Sequence, residues 1–223
     1  HLGMAQDFEV TNQIINFYAQ RAKGRPGMIC AGYATVDELS GNTQNIGAHD
    51  DKFLPGLQKL AKAIKDNGSL SAMQINHAGR YNFSFFLNGK QPLAPSPIAS
   101  RMTRETPKEM TIDEIKTTIK SFAQAALRVK KAGFDAVEVL SGTGYLISEF
   151  LSPLTNQRTD SYGGNFENQM RFGLEVVAAV RDAVGEDFPL IVRMNGNDFM
   201  PGGNSRAELQ EYAKTLSKGL VDA

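Results

Sequence analysis

The sequence lacks the features that mark secreted, membrane and nucleic-acid-binding proteins. Its single cysteine, Cys30, excludes an internal disulfide bond and fits a reducing compartment. The 24 basic and 24 acidic side chains cancel, so charge gives no reason to expect a nucleic acid or an anionic membrane as a partner. No apolar run of about 18 residues is present, and the N-terminus does not resemble a signal peptide. We therefore expect a cytoplasmic protein with no membrane or nucleic-acid partner.

Two classes of ligand site are absent as well. The three histidines and one cysteine show no metal-ligand spacing, so no metal site is predicted. Neither glycine-rich phosphate motif of the nucleotide-binding α/β folds occurs in the chain. Because no neighbour in the sequence would activate it, Cys30 is expected to be an inert, buried thiol.

What the chain does contain is a regular alternation of strand and helix patterns. Apolar runs predict four strands, at 27–36, 69–77, 135–141 and 189–195. Helical spacing of apolar residues predicts helices before, between and after these strands, at 10–22, 53–67, 111–132, 166–184 and from Ser205 onward. Helices between consecutive strands imply a parallel sheet covered by helices.

The lengths of the connections favour a (β/α)8 TIM barrel over a doubly wound sheet. Helix-to-strand links are short, whereas strand-to-helix links are long, at about 78–110, 142–165 and 196–204. In a barrel such long loops build the active-site face. A barrel typically has eight strands in about 250 residues, and residues 220–223 predict only the start of a fifth strand. We therefore predict one domain, 1–223, with about strands 2–5 of an incomplete barrel that lacks its first strand and last three.

Small and polar residues stand at or near the carboxyl ends of the predicted strands. They are Ala31 and Gly32, Gln74 and His77, Tyr145, and Arg193. The carboxyl ends of parallel strands meet at one edge of a sheet, so we expect these residues to lie close together. An amide, a histidine, a tyrosine and an arginine suit a planar, hydrogen-bonding ligand whose negative charge the arginine balances.

The connection that contains Tyr145 has an unusual composition. Gly142 and Gly144 closely precede Tyr145, and about twenty residues then come before the next predicted helix. Arg158 and Asp160 are expected to hold this long loop in place, and Gly163 and Gly164 to form its turn.

Four segments carry motifs that can be compared with known families. They are QINHAGR (74–80), GFDAVEVLSGTGYLISEFLSP (133–153), TNQRTDSYGGNFENQMRF (155–172) and LIVRMN (190–195). Together they resemble the Old Yellow Enzyme family of flavin-dependent oxidoreductases, in the branch that holds 2,4-dienoyl-CoA reductase, 2-enoate reductase and related NADH:flavin oxidoreductases. The resemblance spans essentially the whole chain, and it implies that residues 1–223 are part of an FMN-binding (β/α)8 barrel.

The resemblance also implies an activity. In this family NADH or NADPH reduces FMN, and the flavin passes a hydride to the activated C=C bond of an enone, enoate or dienoyl substrate. Gln74 matches the glutamine at the flavin pyrimidine edge, and Arg193 the arginine beside N1 and O2. Ala31 and Gly32 match the strand end that packs on the flavin ring, and His77 a histidine that is architectural or at the flavin edge.

Tyr145 matches the tyrosine that donates a proton to the substrate. A phenol has a pKa of about 10, so it stays protonated at neutral pH and can serve as an acid. The [4Fe–4S] cluster that this branch often carries would lie outside the chain. Small-molecule substrates with an activated alkene and assembly into a homo-oligomer are further expectations.

Three positions depart from the family pattern. Leu140 and Thr143 stand where many members have a histidine pair that binds the substrate carbonyl, which puts simple enone reduction in doubt. Leu154 stands where dienoyl-CoA reductase has a basic residue, so CoA esters are not favoured.

Two alternatives to an FMN-dependent enzyme stay open. The chain as given could be a non-catalytic barrel fragment that cannot hold FMN and folds by self-association through its open strand edges, at 27–36 and at 189–195 or after 220. A flavin-independent lyase or epimerase is the other alternative. Against it, no lysine or carboxylate pair stands at the strand ends.

Overall fold

The computed structural model describes residues 2–223, and His1 lies outside the described residues. Three short 3₁₀ turns, at Asp51–Phe53, Gly79–Tyr81 and Ser84–Leu87, accompany the regular elements. The helices are α1 Asn12–Ala22, α2 Leu54–Lys65, α3 Ile112–Lys131, α4 Leu146–Leu151, α5 Phe166–Val184 and α6 Arg206–Leu216. The strands are β1 Met28–Thr35, β2 Ile46–Gly47, β3 Leu70–Asn76, β4 Leu93–Ala94, β5 Lys108–Glu109, β6 Ala136–Ser141 and β7 Leu190–Met194.

The main sheet is parallel, with the strand order β2-β1-β3-β6-β7. Apart from the short β2, the strands of this sheet, β1, β3, β6 and β7, lie side by side in the order in which they occur along the chain. This is the winding of a barrel, because a doubly wound sheet reverses its strand order at a switch point. The predicted fold class, an incomplete (β/α)8 barrel, is confirmed. A second, two-stranded sheet of β4 and β5 lies within the long connection after β3.

The two faces of the main sheet differ in what covers them. Ala31, Met73 and Val137 are aligned across β1, β3 and β6, and all are buried in the core with the helices. The opposite face, which we call the inner face, is open: Met28 and Leu70 on it are 42% and 57% exposed. Side chains alternate between faces along a strand, so every second residue of each strand lies on the inner face.

Capping boxes explain where helices α3 and α6 begin. Thr111 accepts a hydrogen bond from Glu114 N, and the Glu114 side chain accepts one from Thr111 N. Ser205 and Glu208 form the same reciprocal capping box at α6. Each box satisfies helix N–H groups that otherwise lack partners, which is worth about 1 kcal/mol.

The prediction of a long helix-free connection after Tyr145 is wrong. Helix α4 begins directly after this residue, which is its N-cap. All six of its residues are buried, so tertiary packing stabilises a helix too short to be stable alone. One and a half turns give too few apolar repeats for a periodicity to be recognised. The two-residue strands β2, β4 and β5 escaped prediction for the same reason.

The ends of the sheet also differ from the predicted ones. The edge beside β1 is occupied by β2, which pairs with Ala34 and Thr35. At the other edge, residues 220–223 are not a regular strand. However, Asp222 N donates to Leu190 O at 2.9 Å, and Val192 N donates to Ala223 O at 2.9 Å. These bonds place the last residues alongside β7, as a following strand would lie.

None of the helices in the described part of the chain has both the length and the apolar character to span a membrane.

Candidate functional site

The inner face carries a group of polar side chains close to the carboxyl edge of the sheet. The register pairs Gln74 with Glu138 and Leu140 with Arg193, so these four residues share this face. Gln74 Nε2 donates to Glu138 Oε1 at 2.5 Å. Two of the predicted cofactor-binding residues, Gln74 and Arg193, therefore lie on one side of the sheet.

Arg193 is exposed. Its guanidinium makes no hydrogen bond or ion pair within residues 2–223. The Gln74 carbonyl oxygen likewise has no hydrogen-bond partner among these residues. A free guanidinium and a free amide carbonyl on an open face are the donor and acceptor that a flavin pyrimidine edge requires, so the residues present fit FMN.

Cys30 was predicted to be a buried thiol, and this is wrong. The residue is exposed, because it lies on the open inner face. Its Sγ is 3.7 Å from Glu138 Oε1. The protein atoms around the sulfur, and then the Glu138 carboxylate, raise the thiol pKa to about 12. The thiol is therefore protonated at neutral pH and unreactive, as predicted, although it is exposed.

Ala31 and Gly32 lie where β1 approaches β3. Ala31 is 1% exposed and belongs to the core beneath the helices. Gly32 has a φ of +132°, and a Cβ atom there would lie 2.7 Å from Gln74 O. Only glycine allows this close approach. The glycine thus helps to place Gln74, while the predicted contact of Ala31 and Gly32 with the flavin ring stays a prediction.

His77 is fully buried, which favours the architectural role over direct contact with a cofactor. Its Nδ1 accepts a hydrogen bond from Gly79 N at 3.0 Å, so the ring proton is on Nε2, which lies 3.6 Å from Asp37 Oδ1. Burial lowers the His77 pKa, and Asp37 only partly opposes this shift. A neutral imidazole therefore stabilises the turn at Gly79–Tyr81.

Tyr145 lies at the same edge of the sheet, held between two other tyrosines. Its ring centroid is 5.8 Å from that of Tyr33 and 6.0 Å from that of Tyr81, both in edge-to-face contact. Burial, and then the neighbouring Tyr81, raises the Tyr145 pKa. The phenol is accordingly protonated at neutral pH, as a proton donor must be.

The backbone before Tyr145 has a conformation that glycine makes possible. Thr143 and Gly144 have φ values of +60° and +81°, and Thr143 N donates to Asn195 Oδ1 at 2.9 Å. A Cβ atom on Gly144 would lie 2.6 Å from the Tyr81 ring. The glycine thus allows Tyr81 to pack closely against the chain that leads to Tyr145.

Replacing Gly144 with alanine should therefore destabilise the protein by more than the backbone strain of a positive φ alone. We expect Gly144→Ala to lower the free energy of unfolding by about 1–3 kcal/mol more than Gly164→Ala, measured by denaturant unfolding. Gly164 is the matched control: its φ is +86°, but no atom lies within 4 Å of its added Cβ. Equal losses in the two variants would show that Tyr81 moves aside at no cost.

Helix α4 is joined to the turn that carries Tyr81. Leu146 N donates to His77 O at 3.1 Å, and Glu149 Oε1 accepts a hydrogen bond from Arg80 N at 2.9 Å. Glu149 is 1% exposed, and burial raises its pKa well above the usual value. Sequence reasoning missed this residue, although a single carboxylate in the run LISEFL could have been noticed as a buried acid.

A cavity of about 800 Å³ opens beside α4. Its walls come from the connections after β3, β6 and β7, including Tyr81 and Gly144. Four of the eight large apolar side chains exposed in the described chain line it; these are Met102, Leu154, Phe199 and Met200. Exposed apolar side chains around a cavity of this size are typical of a small-molecule site.

Arg158 joins the two long connections, as its pairing with Asp160 had suggested. Its Nε and Nη2 donate to Asp160 at 3.1 and 2.5 Å. Its Nη1 donates to the backbone carbonyls of Pro95 and Met110 at 3.0 and 2.7 Å. The predicted stabilising role of Arg158 and Asp160 is confirmed, and it extends to the connection after β3.

Within residues 2–223, no three or more histidine, cysteine, aspartate and glutamate side chains lie close enough together to hold a metal ion.

Residues 3–223 match the model of the NADH:flavin oxidoreductase / NADH oxidase family. The chain belongs to this family. Among curated relatives, the chain is 49% identical over 223 residues to a metal reductase of Desulforamulus reducens, covering all of this chain and 33% of the relative. It is 40% identical over 218 residues to an NADH oxidase of Thermoanaerobacter brockii, covering 97% of this chain and 34% of the relative. The chain thus spans about a third of these relatives.

Solved structures of two reductases share the fold. A 2-naphthoyl-CoA reductase in complex with 2-naphthoyl-CoA superposes with a TM-score of 0.93 at 35% identity, over 99% of this chain and 36% of that one. Morphinone reductase in complex with tetrahydroNAD gives a TM-score of 0.90 at 28% identity, over 98% of this chain and 65% of that one. Both agree with the resemblance to Old Yellow Enzyme and with a chain that is part of a barrel.

Proposed function

We propose that the protein is an FMN-dependent oxidoreductase that uses NADH or NADPH to reduce an activated C=C bond in a small molecule of the enoate, enone or dienoyl type. The observation that carries this proposal is the position of Gln74, Arg193 and Tyr145 at one edge of the sheet. The two free polar groups on the inner face suit a flavin. The Tyr145 phenol, at the same edge of the sheet, is protonated and only half buried, so it can reach a substrate.

Each residue has a separate task in this mechanism. FMN, when bound, supplies the hydride that is taken from the nicotinamide and delivered to the β-carbon. Arg193 would stabilise negative charge at the flavin N1 and O2 edge, and Gln74 would bind the pyrimidine edge beside it. Tyr145 Oη would donate its proton to the α-carbon and recover one from solvent. The 800 Å³ cavity beside α4 would admit the apolar part of the substrate.

A second candidate is transfer of electrons to an acceptor that is not an alkene. Two observations favour it: the relatives are named metal reductase and NADH oxidase, and Leu140 and Thr143 replace the histidine pair. Such a transfer needs the flavin but no proton from Tyr145. The test is to measure alkene reduction and electron transfer to dioxygen or ferric citrate, each in the wild type and in Tyr145→Phe. If Tyr145→Phe loses alkene reduction but keeps electron transfer to dioxygen or ferric citrate, the first candidate is supported.

The remaining expectations belong to the same proposal. We propose that the enzyme is a cytoplasmic homo-oligomer, which light scattering and cell fractionation would test. The alternative of a non-catalytic fragment is less favoured, because the family match extends over residues 3–223 and includes the candidate site. An iron–sulfur cluster would have to be held by residues outside this chain.

Arg193 provides a direct test of the flavin site. We expect Arg193→Ala to weaken FMN binding about tenfold or more and to lower the flavin reduction potential, because the anionic reduced flavin loses a charge-assisted hydrogen bond. FMN titration and a redox titration measure both quantities. Arg206→Ala is the matched control, because Arg206 lines the same surface cleft from the start of α6. Equal effects in the two variants would mean that only overall charge matters.

A further inference from the structure

Glu138 is a charged residue on the inner face to which neither the resemblance nor the proposed mechanism gives a role. It lies directly beside Gln74, because β3 and β6 pair the two residues in register. The strand around it is otherwise apolar or small, with the sequence AVEVLS. A charged residue in such a strand is costly unless it is paired, and the pairing here is with Gln74.

The contact fixes the orientation of the Gln74 amide. An ionised carboxylate only accepts hydrogen bonds, so the amide group that faces Glu138 must be the NH2 group. Gln74 Nε2 donates to Glu138 Oε1, and the negative charge of the carboxylate strengthens this hydrogen bond. The amide carbonyl of Gln74 consequently faces away from Glu138, where it has no partner within residues 2–223.

We infer that Glu138 makes Gln74 a hydrogen-bond acceptor for the flavin and so determines which group of the pyrimidine edge Gln74 binds. This inference rests on the proposed function. The edge presents one donor, N3–H, between two acceptors, the C2 and C4 carbonyls. The Gln74 carbonyl matches N3–H, and the Arg193 guanidinium, which only donates, matches the C2 carbonyl. A flipped amide would set NH2 against N3–H, a donor against a donor.

Glu138 is therefore a positioning residue that acts through Gln74. A flavin held by Gln74 and Arg193 at the carboxyl edge would exclude water from the Gln74 NH2 group. Without an acceptor at position 138, that NH2 group would be left without a partner in the complex, which costs affinity. A glutamine at 138 would retain a carbonyl acceptor, although it would no longer favour one amide orientation over the other.

The test is a double-mutant cycle on FMN affinity, measured by flavin fluorescence quenching with the purified protein. We expect Glu138→Leu to raise the FMN Kd about tenfold and Glu138→Gln to raise it only about twofold. In a Gln74→Leu background, Glu138→Leu should cause no further loss, because the amide through which Glu138 acts is gone. Thermal unfolding of each variant establishes that it is folded.

Each outcome has a distinct meaning. A tenfold loss in Glu138→Leu that persists in the Gln74→Leu background would overturn the inference, because Glu138 would then act by its charge or packing. Equal losses in Glu138→Leu and Glu138→Gln would overturn it as well, since the retained acceptor should rescue binding. A wild type that binds no FMN would instead refute the proposed function itself.

Discussion

Tyr145→Phe should slow alkene reduction by about 100-fold or more, while the reduction of FMN by NADH or NADPH stays nearly unchanged. The substitution removes one hydroxyl and keeps the ring that packs between Tyr33 and Tyr81. A positioned general acid contributes about 10²- to 10⁴-fold to rate, and only the alkene half-reaction needs that proton. Anaerobic stopped-flow absorbance of the flavin measures the two half-reactions separately.

Tyr81→Phe is the matched comparison, because its ring contacts the Tyr145 ring. Loss of the Tyr81 hydroxyl should change the alkene rate only a few-fold, because Tyr81 packs against the donor and is not the donor. If Tyr81→Phe slows the reaction as much as Tyr145→Phe, the proton comes from elsewhere. Equal slowing of both half-reactions in Tyr145→Phe would indicate a displaced flavin.

Arg158→Met should lower the free energy of unfolding by about 3 kcal/mol or more. The methionine keeps the apolar stem but leaves the buried carbonyls of Pro95 and Met110 without their donor, at a cost of about 1–3 kcal/mol each. The loss of the ion pair with Asp160 adds to this, although that carboxylate is partly exposed. Urea unfolding measures the change.

The exposed pair of Lys62 and Asp66 on α2 provides the control. Both side chains are more than half exposed, so Lys62→Met should cost only about 0.5 kcal/mol. The loss of unfolding free energy in Arg158→Lys should lie between those of Arg158→Met and Lys62→Met, because lysine keeps the charge but cannot reproduce the forked contacts. If Arg158→Met costs no more than Lys62→Met, the two connections are held together by other contacts.

The Arg158 contribution should also depend on pH. The hydrogen bond from Arg158, and then other local bonds, lower the Asp160 pKa. Because the folded pKa lies below the unfolded one, this part of the stability is present above the unfolded pKa of about 3.9 and is lost as the pH falls through the folded value. Arg158→Met should therefore show a smaller loss of stability on acidification than the wild type.

The sequence was sufficient to predict the barrel architecture because long elements carry repeated signals. Helix α3 has five turns of apolar spacing and a capping box, and its predicted and observed bounds agree within one residue. Helix α4 has too few turns for such a pattern, and its burial depends on packing that only the folded chain supplies. Local periodicity therefore predicts long elements and misses short ones.

Only those residues of the candidate site that belong to sequence motifs could be predicted. Gln74, Tyr145 and Arg193 were found by their place at strand ends and by the resemblance. Glu138 was missed because strand register decides which residue lies beside Gln74, and a single sequence does not reveal register. Tyr33 and Tyr81 were missed because their contacts with Tyr145 join connections that are distant along the chain.

Burial of Glu149 and His77 couples folding to the uptake and release of protons. The Glu149 pKa is raised in the folded protein, so folding takes up a proton between the ordinary value of 4.5 and the raised one. The His77 pKa is lowered, so folding releases a proton between the lowered value and the ordinary 6.5. At any pH that falls within both ranges, the proton uptake by Glu149 and the proton release by His77 cancel. These two residues should then make stability change little with pH. As the pH rises from 4.5 to the raised Glu149 pKa, the buried carboxyl lowers the stability of the fold, and the turn that positions Tyr81 should weaken.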